Sequence, residues 1–248
     1  MGSTRLPGKA MLPIFDGKGA LELMLERLAT STTCDRLVVA TTALPEDDTI
    51  ESLCARVGVR CCRGDPEDVL DRYYHCAVAE HARDIIVRLT GDCPLHDPAV
   101  VDAVVEFFIP GNFDYASNTH PPTFPDGLDI EVFSFAALET AWRDARLLAE
   151  REHVTYHIYM HPEKFCIGNF RNDDDLSSLR WTLDEPDDLV FIRAVYEALG
   201  PHGLNFSMQD VLALLQNRPD IARLNAGIMR DEGLQRSLAQ DRKLGNLK

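Results

Sequence analysis

The first nine residues, Met-Gly-Ser-Thr-Arg-Leu-Pro-Gly-Lys, combine two cationic side chains with a run of small residues in a segment that favours turns. Glycines let the backbone turn with its N–H groups facing inward, while hydroxyl and cationic side chains add donors and positive charge. The residues that supply these groups are Gly2, Ser3, Thr4, Arg5, Gly8 and Lys9. Together they predict a cradle for a triphosphate, although such a terminus, taken alone, is more typical of a frayed end.

The segment does not match the Walker A loop of P-loop NTPases. Five residues rather than four separate Gly2 from Gly8, and Lys9 is followed by Ala10 where that motif has Ser or Thr. The reaction must therefore be inferred from the rest of the chain.

The formal net charge of −15 over 248 residues argues against a nucleic-acid surface, because such a surface needs a basic face. An acidic protein also repels a free nucleotide at long range. A phosphate ligand would therefore need a local cationic pocket, and a divalent cation between the carboxylates of the protein and the phosphates.

The composition, 45% apolar and 26% charged, is that of a globular protein able to bury a core. We expect one α/β domain at residues 1–220 and a polar, partly helical tail at residues 221–248. Apolar runs too short for a membrane span and the lack of a basic-then-apolar leader predict a cytoplasmic protein. Seven cysteines, an odd number without metal-ligand spacing, agree with a reducing compartment.

Hydrophobic periodicity predicts alternating strands and helices, which indicates an α/β fold. The predicted strands are 37–40, 59–62, 85–89, 114–118, 129–133, 165–170 and 180–183. The predicted helices are 19–29, 45–58, one capped by Asp65, 98–108, 135–145, 150–160, one from 184, one capped by Ser207, and 231–243.

One acidic residue stands where such a fold places ligands, and an acidic cluster occurs further along the chain. Asp92 follows the strand that ends at Thr90, and ligands of parallel sheets gather at the carboxyl ends of strands. Asp184 opens the run Asp-Glu-Pro-Asp-Asp, in which four of five residues are acidic. Acids and proline are also what a helix start prefers, so this run has an ordinary structural explanation.

Six blocks occur in order along the chain. They are Gly2-Ser3-Thr4-Arg5-Leu6-Pro7-Gly8-Lys9, Val39-Ala40-Thr41-Thr42, Arg88-Leu89-Thr90-Gly91-Asp92-Cys93-Pro94, Asp126-Gly127-Leu128-Asp129-Ile130-Glu131-Val132-Phe133, Arg151-Glu152-His153-Val154 and Leu183-Asp184-Glu185-Pro186-Asp187-Asp188. The series resembles the SpsF group of the cytidylyltransferase family, named for spore coat polysaccharide biosynthesis. The acylneuraminate and 3-deoxy-manno-octulosonate cytidylyltransferases are relatives of this group, and the resemblance spans essentially the whole chain.

The resemblance implies a nucleotide-diphospho-sugar transferase fold, GT-A-like, with three α/β/α layers and a mostly parallel sheet. The implied enzyme is a nucleotidyltransferase that joins an acidic sugar to CMP from CTP, with release of pyrophosphate, in surface polysaccharide biosynthesis. The implied partners are CTP, the sugar and Mg²⁺, without nucleic acid or a membrane span, in a possible homodimer.

The resemblance also implies roles for residues at matching positions. The catalytic set is Arg5, Lys9, Asp92 and Asp184, of which Asp92 and Asp184 would bind magnesium. The nucleotide-binding set is Gly2, Ser3, Thr4, Arg5, Lys9, Thr41 and Asp92. The sugar-binding set is Arg88, Asp126, Asp129, Arg151, Glu152 and His153. For His153 a structural hydrogen bond is at least as good an explanation.

The chain departs from the family pattern at its start. The glycine-rich loop of the family follows a hydrophobic first strand, and here the sequence begins inside the loop, so we expect that strand to be absent. Two other functions stay open. One is a glycosyltransferase using a nucleotide sugar, with Asp173-Asp174-Asp175 as its metal motif, although we expect that run to be a solvated turn. The other is a non-catalytic nucleotide- or sugar-binding remnant.

Overall fold

The computed structural model describes residues 5–82, 84–227 and 232–244. Gly2, Ser3 and Thr4 of the predicted cradle lie outside these ranges, and their roles stay predictions. Strands and helices alternate through the described chain, which confirms the α/β class.

Eight strands and eleven α-helices are described in these ranges. The strands are β1 (Pro13–Phe15), β2 (Lys18–Gly19), β3 (Val38–Thr42), β4 (Arg60–Gly64), β5 (Ile85–Arg88), β6 (Tyr115–Ser117), β7 (Glu131–Ser134) and β8 (Ile167–Asn169). The helices are α1 (Ala20–Leu28), α2 (Asp48–Val57), α3 (Val69–Ala79), α4 (Pro98–Phe108), α5 (Phe135–Asp144), α6 (Leu148–Glu152), α7 (Tyr156–Tyr159), α8 (Pro186–Leu199), α9 (Met208–Asn217), α10 (Pro219–Ala222) and α11 (Glu232–Lys243).

The larger sheet has the strand order β5-β7-β6-β8. In it β6 and β8 are parallel, while β7 runs antiparallel to both of its neighbours, β5 and β6. A second pair, β3 and β4, is parallel, and β1 and β2 form a short hairpin. The carboxyl end of β5 leads directly into the loop that carries Asp92.

Helices cover both faces of the larger sheet. Successive side chains of a strand point to opposite sides, so each strand contributes residues to the core on both faces. Tyr115 and Phe133 enter one core cluster together with residues of α3, α5 and α7. Ala116 and Val132, each one residue away in the same strands, enter the other cluster with residues of α1, α4, α8 and α9. The result is the three-layer arrangement that the resemblance implies.

The prediction of one continuous helix at 150–160 is wrong, because the segment forms two short helices, α6 and α7. Val154 stands between them with a φ of +52° and is buried. A β-branched residue in the left-handed region ends a helix, and sequence periodicity does not register it.

Two further predictions need correction. The helix expected to be capped by Asp65 begins at Val69 and is capped by Asp68, whose carboxylate accepts from the N–H of Asp71. The Asp65 carboxylate instead accepts from the N–H groups of Glu67 and Asp68 in a tight turn. The expected strand at 180–183 contributes a single bridge, between Arg180 and Asp126.

Gly127 allows the loop after Asp126 to lie directly against the segment that leads to Asp184. Its φ is +104°, and a Cβ built at this position would lie 2.6 Å from the carbonyl carbon of Trp181. Backbone hydrogen bonds hold the two segments at this distance, including Trp181 N–H to Asp126 O at 2.6 Å. Glycine therefore satisfies a conformational and a steric requirement at once.

We expect Gly127→Ala to lower the free energy of unfolding by about 2–6 kcal/mol, since backbone strain and overpacking each cost about 1–3 kcal/mol. Gly203→Ala is the matched control, because Gly203 has a φ of +119° with no heavy atom within 4 Å of its built Cβ. Gly203→Ala should lower the free energy of unfolding only by the cost of backbone strain, about 1–3 kcal/mol. Equal losses of unfolding free energy in urea denaturation, for Gly127→Ala and for Gly203→Ala, would show that the close approach to Trp181 adds no cost.

Candidate active site

Lys9 lies between the two carboxylates that the sequence singles out. Its Nζ donates to Asp92 Oδ2 at 2.5 Å and to Asp184 Oδ1 at 2.6 Å. The three side chains keep only about a fifth of their surface exposed, 20% for Lys9, 23% for Asp92 and 21% for Asp184. The structure therefore brings three of the four predicted catalytic residues into direct contact.

Local backbone geometry positions each of these residues. Gly8, with a φ of 69°, precedes a 3₁₀ turn that begins at Lys9. Asp92 lies in the turn after β5, and its backbone carbonyl accepts from Leu183 N–H at 2.9 Å. That bond joins the two loops that carry the carboxylates, so Asp92 and Asp184 cannot separate freely.

The charges of this cluster stabilise one another. Burial favours the neutral amine of Lys9, but the nearby carboxylates of Asp92 and Asp184 outweigh it and raise the pKa of Lys9. Burial likewise favours protonated Asp92, yet the Lys9 ammonium prevails and lowers the pKa of Asp92. Lys9 is therefore cationic and Asp92 anionic at neutral pH.

Arg5, the fourth predicted catalytic residue, lies on the same side of the cluster. Its guanidinium donates to Glu185 Oε1 at 2.8 Å and lies 3.5 Å from Asp184 Oδ1. Arg5 and Lys9 thus share Asp184, and two cations of the opening segment converge on one loop. Glu185 is absent from the predicted site, since its position at the start of α8 is explained equally well by helix capping.

Arg180 organises the acidic residues behind this cluster and is absent from the predicted site. Its guanidinium donates to Asp188 at 3.0 Å, to Asp126 Oδ2 at 3.0 Å and to Asp184 Oδ2 at 3.1 Å. The three carboxylates together outweigh the burial of Arg180 and raise its pKa. Asp184 therefore has Lys9 on one oxygen and Arg180 on the other.

Asp188 fixes the backbone of the same loop. Its Oδ2 accepts from the N–H of Asp184 at 3.0 Å and of Glu185 at 2.9 Å, at the first turn of α8. Asn225, from the polar C-terminal part of the chain, donates to both Asp188 Oδ1 and the carbonyl of Arg180 at 2.9 Å. The acidic run at 184–188 is thus both a helix start and the support of the site.

Arg88, a predicted sugar-binding residue, forms a buried ion pair with Glu131. The carboxylate of Glu131 also accepts from the hydroxyl of Tyr115 at 2.7 Å and from that of Thr155. Burial alone would raise the pKa of Glu131, but Arg88 and these donors lower it. Glu131 lies inside one of the six sequence blocks. The alternation of apolar and polar residues along β7 does not distinguish it from a residue with a purely structural role.

Asp126 and Asp129, two other predicted sugar-binding residues, lie in the loop before β7. Asp126 shares Arg180 with Asp184. Asp129 is half-buried two residues before Glu131, and its charge contributes to raising the pKa of the buried Cys93 thiol, after the larger effects of burial and Asp92.

The remaining three predicted sugar-binding residues join helices. Arg151 donates to Asp68 Oδ2 at 2.8 and 2.6 Å, which ties α6 to the start of α3. Glu152 and His153 both contact the hydroxyl of Ser237 in α11, at 2.5 and 3.0 Å. Their role toward a sugar stays a prediction.

Thr41, predicted to bind nucleotide, is buried and donates its hydroxyl to Asp47 Oδ2 at 2.6 Å. The carboxylate of Asp47 also accepts from the backbone and hydroxyl of Thr42. This contact orders the carboxyl end of β3, where a parallel sheet presents ligand-binding loops.

The alternative metal motif, Asp173-Asp174-Asp175, is exposed. Asp175 accepts from the N–H and the hydroxyl of Ser177, which closes a local turn. The run is therefore the solvated turn that the sequence predicts.

The pair of Asp92 and Asp184 suits Mg²⁺ by its chemistry. Both groups are carboxylates, the hard oxygen ligands that this ion prefers, and they converge on a single cation in the structure, the ammonium of Lys9. These two residues could hold the ion in its place.

Judged by length and hydropathy, the helices in the described ranges all fall short of a membrane span.

A family model described as "Cytidylyltransferase" matches residues 1–193. An uncharacterized protein of Methanocaldococcus jannaschii is 37% identical over 92% of this chain and 91% of its own length. The spore coat polysaccharide biosynthesis protein SpsF of Bacillus subtilis is 31% identical over 90% of this chain and 93% of its own. A solved cytidylyltransferase of Leptospira borgpetersenii is 36% identical, with a TM-score of 0.86 over 93% of this chain and 95% of that one.

We expect Lys9→Met to lower the free energy of unfolding at neutral pH by about 1–3 kcal/mol, because it removes the cation that pairs with the partly buried Asp92 and one of those that pair with Asp184. Lys18→Met is the control, since Lys18 pairs with Glu26 at 2.5 Å on a more exposed surface, where such a pair contributes about 0–1 kcal/mol. Equal losses of unfolding free energy for both variants would contradict the role of Lys9 in stabilising the fold.

The effect of Lys9→Met should depend on pH. The folded-state pKa of Asp92 is lowered, so its contribution is complete above the unfolded value of about 3.9 and is lost as the pH falls through the folded-state value. Denaturation at a series of pH values should therefore show the difference between wild type and variant shrinking in acid.

Proposed function

The chain belongs to the cytidylyltransferase family, and from that premise we propose that it transfers CMP from CTP to a sugar, releasing pyrophosphate, in the synthesis of a surface polysaccharide. The observation that carries this proposal is the contact of Lys9 with both Asp92 and Asp184. This contact supports the proposal because a cation suited to phosphate and two carboxylates suited to a metal ion lie together, and nucleotidyl transfer requires both kinds of group.

In the proposed reaction a sugar hydroxyl oxygen attacks the α-phosphorus of CTP. A bond forms between that oxygen and the phosphorus, the bond from the α-phosphorus to the bridging oxygen breaks, and pyrophosphate leaves. The hydroxyl proton passes to solvent. Because phosphoryl transfer asks mainly for positioning and charge stabilisation, the protein needs no covalent intermediate.

The roles of the chain's own residues follow from their contacts. Arg5 and Lys9 bind and orient the triphosphate, because both are cations at the edge of the carboxylate cluster. Asp92 and Asp184 would hold Mg²⁺, which when bound supplies positive charge to the phosphoryl oxygens. Arg180 is a positioning residue that keeps Asp184 in the orientation shared with Lys9.

We extend the proposal to a sugar that carries a carboxylate. Its support is the sequence resemblance to cytidylyltransferases of acylneuraminate and 3-deoxy-manno-octulosonate. Arg88 and Arg151 are the guanidinium groups predicted for this task, and both are ion-paired, to Glu131 and Asp68 respectively. An acidic sugar would have to share these cations with the carboxylates already bound to them.

We also propose a cytoplasmic enzyme, supported by the cysteine composition. A homodimer and the use of the product in a spore coat rest on resemblance alone.

The test of the reaction is pyrophosphate release from each nucleoside triphosphate, with a panel of acidic sugars and their neutral analogues. We expect release with CTP and an acidic sugar. Release with a neutral sugar would overturn only the carboxylate assignment. Transfer from a preformed nucleotide sugar, or CTP binding by calorimetry without turnover on the panel, would favour the glycosyltransferase or the non-catalytic alternative.

Removing either proposed metal ligand should abolish turnover. We expect Asp92→Asn and Asp184→Asn to lower kcat by about a thousandfold, since charge stabilisation at a transferring phosphoryl group contributes on the order of 10²–10³ or more. Both variants should also lose Mg²⁺ binding in calorimetry without nucleotide, a readout independent of activity. Asp187→Asn is the control, because Asp187 belongs to the same acidic run and is exposed. Full activity in either of the first two variants would refute the assignment.

A further inference from the structure

A second group of potential metal ligands lies in α6 and in the turn through and beyond α7. One ligand atom from each of Glu150, His157 and His161 lies within 4.8 Å of the other two. Glu150 and His157 are buried, and His161 is half-buried. The two histidines are four residues apart, a spacing that places side chains on the same face of a helical turn.

Hydrogen bonds determine which nitrogen of each histidine carries the proton. Nδ1 of His157 bonds to Glu150 Oε1 at 2.8 Å, and Nδ1 of His161 bonds to the backbone carbonyl of His157 at 2.7 Å. Carbonyl oxygens accept only, and so does an ionised carboxylate, so each Nδ1 is the donor. In the neutral imidazole with Nδ1 protonated, Nε2 carries the lone pair that binds a metal ion.

Nε2 of His157 is buried and has no hydrogen-bond partner within the described structure. A buried polar atom without a partner costs free energy, so its retention needs a reason. The rings of His157 and His161 lie with their centroids 4.3 Å apart, which places the two imidazoles side by side. Metal binding would satisfy both nitrogens at once.

Glu150 holds His157 as a carboxylate holds a metal-ligating histidine. Such a partner fixes the tautomer and the ring orientation and makes the ligand more basic. The other oxygen of Glu150 accepts from the N–H of Arg146 and of Leu147, so the carboxylate is anchored to the start of α6.

We propose that His157 and His161 bind a divalent transition-metal ion such as Zn²⁺ through their Nε2 atoms, with Glu150 as the carboxylate partner of His157. Two imidazole nitrogens favour Zn²⁺, Co²⁺ or Ni²⁺ over Mg²⁺, which prefers oxygen ligands. This site is separate in composition from Asp92 and Asp184 and does not depend on the proposed reaction.

The site would fasten the connection between α6 and α7. Val154, with its positive φ, and Thr155, which contacts Glu131, both lie in that connection. The hydrogen bond from His157 to Glu150 spans this connection. A metal ion on His157 and His161 would stabilise the folded chain, because a ligand that binds only the folded state raises its stability by mass action.

The test is a Co²⁺ titration followed by absorption, with Mg²⁺ in excess to occupy carboxylate sites. We expect one Co²⁺ per chain, with a spectrum of nitrogen and oxygen ligands. His161→Ala should weaken binding at least tenfold, whereas His202→Ala, at an exposed position, should bind as wild type does. Unchanged binding by His161→Ala, or a spectrum of thiolate ligands from the cysteines, would overturn the site.

A second measurement uses the wild-type chain and so does not depend on the stability of a variant. Nitrogen-15 spectra of the histidine rings should show His157 and His161 protonated at Nδ1 without metal, and their Nε2 signals should shift when Zn²⁺ is added. Thermal unfolding should move to higher temperature with Zn²⁺ in wild type and in His202→Ala. Unchanged Nε2 signals at saturating Zn²⁺ would refute the proposal.

Discussion

The structure depends on keeping two carboxylates side by side in a protein that is already strongly acidic. Asp92 and Asp184 are drawn to one ammonium group although they lie 83 and 175 residues from Lys9 in the chain. Without that cation their charges would repel in a partly dehydrated place. The opening segment therefore contributes to the fold as well as to the site, because Lys9 links it to two distant loops.

This arrangement has a consequence for phosphate binding. Arg5 and Lys9 are both ion-paired to acids of the site, so a triphosphate must compete with Glu185, Asp92 and Asp184 for them. Lys9 can turn toward a phosphate at low cost only if the carboxylates it leaves gain another cation. Under the proposed function, nucleotide and divalent ion would therefore bind together.

The sequence predicts the α/β class and most helix and strand positions, because hydrophobic periodicity is a local property with a regular consequence in space. That Lys9, Asp92 and Asp184 belong to one site is implied by the family resemblance, and the strand-end position supports it only for Asp92. Arg180 and Glu131 escape prediction for the opposite reason. Each acts through partners brought together by tertiary packing, and its local pattern is that of an ordinary strand residue.

The split between α6 and α7 shows a second limit. Nothing in the pattern from Glu150 to Met160 marks Val154 as left-handed, and its strain is tolerated because the surrounding contacts are fixed. One such contact comes from α11, where buried Asp241 accepts from the N–H groups of Leu148 and Ala149 at 3.0 and 2.8 Å.

The contact of Asp241 with α6 also explains why hydrophobic periodicity is weak at the end of the chain. A carboxylate at the start of a helix satisfies backbone donors that would otherwise lack partners and interacts favourably with the helix dipole. Asn225 acts similarly on Arg180 and Asp188. Because the groups that attach this part of the chain are polar, hydrophobic periodicity cannot reveal them. A polar stretch can therefore support a reactive site from behind, and its hydrogen-bond partners, rather than its hydropathy, determine whether it does.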